Sequence, residues 1–137
     1  MKKVLLLTVV FACCLFFGCE AGNEVEVEYI SIAEHYQEFA EKIPTMDNAI
    51  EIVADLEQCA TRIDFHAGRL SAIVSEIGTD AALDMISEEA MQQYTESFSA
   101  LVAAISDAKE RLGRSAIAPG ARKIEAAVDG LQRAFMQ

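Results

Sequence analysis

The residues of this 137-residue chain with the most chemistry to offer are two histidines, His35 and His66, and four cysteines, Cys13, Cys14, Cys19 and Cys59. Imidazole and thiolate together would suit a metal ion, and a histidine with serine and aspartate would suit nucleophilic attack. The spacings favour neither. The histidines lie 31 residues apart on different predicted helices, and no Glu-x-x-His, His-Glu-x-x-His or paired Cys-x-x-Cys occurs. Covalent haem attachment is excluded by the lack of Cys-x-x-Cys-His. Cys59 and His66 share a helical stripe with Ile52 and Ile73, but seven residues of helix separate them by about 10 Å, too far to ligate one ion together. Cys59 therefore reads as a small core residue and His66 as a boundary residue. With no glycine-framed nucleophile turn and no phosphate-cradling loop, the expectation is a non-enzyme with no metal or cofactor.

Charge narrows the partners. All 22 acidic residues follow Cys19. Residues 19–107 carry 19 of them against Lys42, Arg62 and Arg69. The last 30 residues reverse the balance, with six cations (Lys109, Arg111, Arg114, Arg122, Lys123, Arg133) against three acids. An acidic body excludes phosphate-backbone binding, which needs clustered cations, so no nucleic-acid partner is expected.

The elements that must carry these residues are helices. Ala49, Val53, Leu56, Ala60, Ile63, Ala67, Leu70, Val74 and Ile77 recur at steps of four and three, which places them on one helix face. A second series, Leu83, Ile86, Ala90, Tyr94, Phe98, Leu101, Ile105, Ala108 and Leu112, does nearly the same. Gly78 and Gly113 are natural C-terminal stops. The second helix begins near Asp80 or at Ser87. Ser31 with Glu34 fits a capping box opening a first helix that ends at Pro44, Thr45 can cap the next, and Pro119 suits the first turn of a last helix bearing Ile117, Ala121, Ile124, Val128, Leu131 and Phe135. The expected fold is all-α: an antiparallel bundle of three to four helices built on a long hairpin, covering residues 31–137. With shorter flanking helices, the hairpin end near residues 66–96 would project as an arm. Its residues Leu70, Ile73, Ile77, Leu83, Met85 and Met91 are the candidate partner contacts.

Ahead of the bundle, Lys2-Lys3 precedes an apolar run from Val4 to Phe17, too short to span a bilayer. The run ends Phe16-Phe17-Gly18-Cys19 and resembles the bacterial lipoprotein signal, a small residue directly before a cysteine with apolar residues ahead of it. The resemblance implies a signal peptide over residues 1–18, cleavage after Gly18 and acylation of Cys19. With Glu20 rather than aspartate after the cysteine, it also points to the outer membrane over the inner. Acylation of Cys19 would leave Cys59 without a disulfide partner in the mature chain. Residues 19–30, with Val25, Val27 and Tyr29 alternating with Glu24, Glu26 and Glu28, read as an extended acidic tether. The functional expectation is a lipid-anchored extracytoplasmic protein that acts by protein–protein contact through the arm, with a partner or a second copy. The alternative is a carrier of a small apolar ligand in the bundle core, where Ala49, Ala60, Ala67 and Ala90 would leave room.

Overall fold

The computed structural model describes residues 24–136; the signal, Cys19 and the first residues of the tether lie outside them. The helices are α1 (Glu24–Lys42), α2 (Ala49–Ile77), α3 (Thr79–Asp84), α4 (Glu88–Leu112) and α5 (Arg114–Phe135), with a 3₁₀ turn at Ile43–Thr45 after α1. The fold is an all-α helical bundle, with no strand among the described residues.

Local chemistry sets the boundaries. Asn48 caps α2, its Oδ1 accepting from the amides of Ile50 (2.9 Å) and Glu51 (3.2 Å), and so satisfies two amides that have no intrahelical partner. Thr45, expected in that role, instead donates to the Lys42 carbonyl. Ser87 caps α4 by accepting from the Ala90 amide at 3.1 Å, so of the two starts read from the sequence, Ser87 opens the long helix. Gly113, at φ 103°, links α4 to α5 as a single residue. The reversal is tight enough that α5 begins at Arg114 and encloses Pro119, the residue expected to start it. The missing Pro119 amide costs one helical bond, offset by full burial of Ile117 on the preceding turn.

Cross-helix contacts give the topology. Glu28 meets Arg69 and Lys42 meets Asp55, so α1 and α2 run antiparallel. Glu26 meets Ser87, Tyr36 meets Tyr94, and Arg111 reaches the Ile43 and Met46 carbonyls, so α1 and α4 run parallel. Gly120 lies against Leu56 and Gly130 near Asp64, so α2 and α5 are also parallel. Two hairpins, α1–α2 and α4–α5, are thus stacked, and α3 crosses from the end of α2 to the start of α4. The four long helices form a ring in the order α1, α2, α5, α4. Their buried faces enclose one core that includes Ile32, Tyr36, Phe39, Leu56, Ile63, Leu70, Leu101, Ile117, Ile124 and Leu131.

Two expectations change. Residues 24–30 are the first two turns of α1, not a tether, and Val25 is fully buried. Their period-two alternation of acid and apolar residues conceals a helical face of Val25, Glu28, Ile32, Tyr36, Phe39 and Ile43, on which the acid Glu28 is buried. With this extension α1 has 19 residues and α5 has 22, enough to flank most of the 29-residue α2. No arm projects. α2 and α4 lie across the bundle diagonal, and their seams face α1 and α5. Leu70 is therefore core, Ile73 and Met85 are half-buried, and Ile77, Leu83 and Met91 retain about 40% exposure.

Candidate functional site

Two features of the bundle offer chemistry or contact. The first joins α1 to α2. His35 and His66 bring their Nε2 atoms to 3.2 Å. On the outer side, His66 Nδ1–H donates to Glu28 Oε2 at 2.5 Å, and Arg69 Nε holds the other oxygen, Oε1, at 2.8 Å. At the opposite end, His35 Nδ1 lies 3.8 Å from Glu38 Oε2, which Arg62 Nη1 engages at 3.0 Å. The result is a continuous line of charge and imidazole: Arg69, Glu28, His66, His35, Glu38, Arg62. Glu28 is tolerated on a buried face because both of its oxygens are paired.

Burial first, and then the neighbouring His66 and Arg62, hold His35 below the ordinary histidine range, while Glu38 pulls the other way. Burial raises Glu34 above the ordinary carboxylate range, an effect partly offset by His66. Sequence reasoning missed the pair because helical periodicity does not say which helices meet. A signal was present nonetheless. Glu28, His35 and Lys42 are spaced by seven on α1, Asp55, Arg62 and Arg69 are spaced by seven on α2, and the end members pair as opposite charges.

The second feature is a groove of about 390 Å³ between α4 and α5. Phe98, Val102 and Ile105 form one wall, and Ala121, Ile124 and Val128 form the other, with Lys109 and Arg114 at one end and Glu125 and Asp129 beside it. α4 packs mainly on α1 and α5 mainly on α2, which leaves this seam the more open. Val102 is half exposed on its wall. Of the expected contact residues, Leu70, Ile73, Ile77, Leu83, Met85 and Met91, none lines the groove. The face of Phe98 and Ile105, read from the sequence as core, is core at Ile105 and half-buried at Phe98; the exposed residue of that wall is Val102, which lies off the apolar series. Ala60, Ala67 and Ala90 are packed in the core, and the groove between α4 and α5 opens at the surface.

An aromatic cluster closes the α1–α4 seam. Tyr29 stacks on Tyr94 at 4.7 Å, and the Tyr36 and Tyr94 hydroxyls meet at 3.1 Å. Burial pushes Tyr29 up to about 12, Cys59 up to about 12, and Tyr36 and Tyr94 above the ordinary phenol range. Folded values above unfolded ones mean that the stabilisation is complete below about pH 9 and is lost as pH rises through about 12. Tyrosine ionisation, followed by ultraviolet absorbance, should therefore coincide with loss of helical circular dichroism. Full ionisation near pH 10 with the helices intact would contradict the buried cluster.

Among the described residues no helix is long and apolar enough to cross a membrane. No protein-family model, curated protein or solved structure matches the chain.

Proposed function

We propose that the chain is a lipid-anchored envelope protein that works by protein contact, receiving the apolar face of a partner helix in the α4–α5 groove. The observation that carries this reading is the groove itself: two facing apolar walls along the least closely packed seam of the ring, with Val102 half exposed on one of them. Helix-in-groove recognition needs such walls. Lys109 and Arg114 lie on the one cation-rich segment of an acidic protein, and they would orient a partner by an acidic residue at the end of its apolar stripe. Anchoring rests on the resemblance at Cys19. Only residues 20–23 separate that cysteine from α1, a span of at most about 18 Å fully extended, so the bundle would be held against the membrane surface.

The same groove favours one second reading, a carrier of a single-chain amphiphile whose anionic head meets Lys109 and Arg114. Native mass spectrometry of the full chain released from detergent separates the two. Protein contact predicts a complex with a second polypeptide that Val102→Asp removes without loss of helicity. A monomer carrying a small apolar mass, lost in the same variant, would replace the contact reading with the carrier. A bare monomer indistinguishable from Val102→Asp would overturn both.

A further inference from the structure

The facing histidines are set as two ligands of one ion. We propose that His35 and His66 hold a divalent transition-metal ion of the imidazole-preferring class, Cu²⁺, Ni²⁺ or Zn²⁺, through their Nε2 atoms, clamping α1 to α2. Two observations and one deduction carry this.

The first is distance. Two metal–nitrogen bonds of about 2.05 Å at a tetrahedral angle place the nitrogens about 3.3 Å apart. The observed Nε2 separation is 3.2 Å.

The second is the outer support. Ligating histidines characteristically donate the other ring N–H to a carboxylate. Here His66 Nδ1 meets Glu28 and His35 Nδ1 faces Glu38, and each carboxylate is fixed by an arginine, Arg69 or Arg62.

The third is the proton count. Without an ion, two neutral imidazoles satisfy both contacts only if His66 donates Nδ1–H to Glu28 and accepts at Nε2 from His35 Nε2–H. That leaves His35 Nδ1 bare and facing the Glu38 carboxylate, two electron-rich groups without a proton between them. With an ion, the His35 proton sits on Nδ1, directed at Glu38, and both Nε2 lone pairs face the metal. One proton moves within one ring and none is released, and every nitrogen in the line then has a partner.

The protein supplies two ligands, and no set of three histidine, cysteine, aspartate or glutamate residues arranged to hold a metal occurs among the described residues. The remaining positions belong to water or to a second molecule, and the side chains keep 23% and 15% exposure, which leaves the ion a way in. The affinity order follows imidazole preference, with Cu²⁺ tightest and Mg²⁺ not bound.

The test is thermal unfolding of the full chain with Cu²⁺, Ni²⁺, Zn²⁺ or Mg²⁺ alone. Binding to the folded state raises Tm with concentration, by about 10 °C at a hundredfold excess over Kd. The rise is expected with the three transition ions, absent with Mg²⁺, retained in Cys59→Ser, and lost in both His35→Gln and His66→Gln. Glu38→Gln keeps both ligands and should weaken binding by 10–100-fold, a check that does not depend on the histidine variants folding. No rise with any transition ion would leave the pair as a proton-sharing contact only and overturn the proposal. A rise of wild-type size in both histidine variants, or one that Glu38→Gln leaves unchanged, would place the ion elsewhere and overturn it equally.

Discussion

Leu70→Asp should unfold the bundle. Leu70 sits three-quarters of the way along α2 with no exposure to solvent, in the core that α1 and α5 close over. Removing its side chain alone costs about 2–5 kcal/mol through lost burial and the cavity left behind. The carboxylate adds the penalty of an unpaired buried charge, and the total approaches the 5–15 kcal/mol by which domains of this size are typically stable. The measurement is urea unfolding followed by circular dichroism, with loss of the cooperative transition as the expected result. Leu83→Asp is the informative partner, because Leu83, on α3, is 42% exposed and should tolerate the change to within about 1 kcal/mol. If Leu70 belonged to a projecting arm, the two variants would behave alike.

Gly120→Val should be the most damaging substitution outside the large core side chains. A Cβ at Gly120 would stand 2.8 Å from Leu56 Cδ1, 3.0 Å from Leu56 Cβ and 3.2 Å from the Val53 Cα. The Leu56 methyl can rotate away. Leu56 Cβ and the Val53 backbone move only with α2, so α2 and α5 must separate, and valine adds two methyl groups to the same gap. Overpacking of this kind costs about 1–3 kcal/mol or more, against at most about 1 kcal/mol regained from replacing a helical glycine. Gly68→Ala isolates the second term. No atom lies within 4 Å of its added Cβ, and the variant should gain about 0.5–1 kcal/mol. Urea midpoints should therefore move in opposite directions, down for Gly120→Val and up for Gly68→Ala. A rise for Gly120→Val would mean that α2 and α5 do not approach each other as described.

Much of this architecture was legible in the residues. The four-three spacing of α2 places Leu56, Ala60, Ile63, Ala67, Leu70 and Val74 on one buried face, and all six are buried. Ser87, Gly78, Gly113 and Pro44 each end or begin an element for the local reason their chemistry gives. What periodicity withholds is the identity of the covering helix. An apolar stripe says that a face is buried, and the stripes of α2 and α4 suited mutual burial as well as they suit the ring that forms. The start of α1 was hidden for a different reason. An acidic side chain occupies a core-facing position there, and only the pairing of Glu28 with Arg69 and His66, which are some 40 residues away in sequence, makes that position affordable. The histidine pair was obscured in the same way, since neither residue has a ligand partner on its own helix. The groove was hidden because Val102 lies off the apolar stripe of Phe98 and Ile105, and how two hairpins stack decides which residues beside a stripe face each other.

The proposed function rests on contact through the α4–α5 groove. The most direct measurement places a photo-crosslinking amino acid at Val102 in intact cells, with the same probe at Ile50, which is exposed on α2 and lies outside the groove. The expected result is a discrete protein adduct from position 102 that is absent from position 50 and that disappears when Ile124→Asp places a charge on the facing wall. Equal crosslinking from both positions, or an adduct at 102 indifferent to Ile124→Asp in a folded chain, would contradict it.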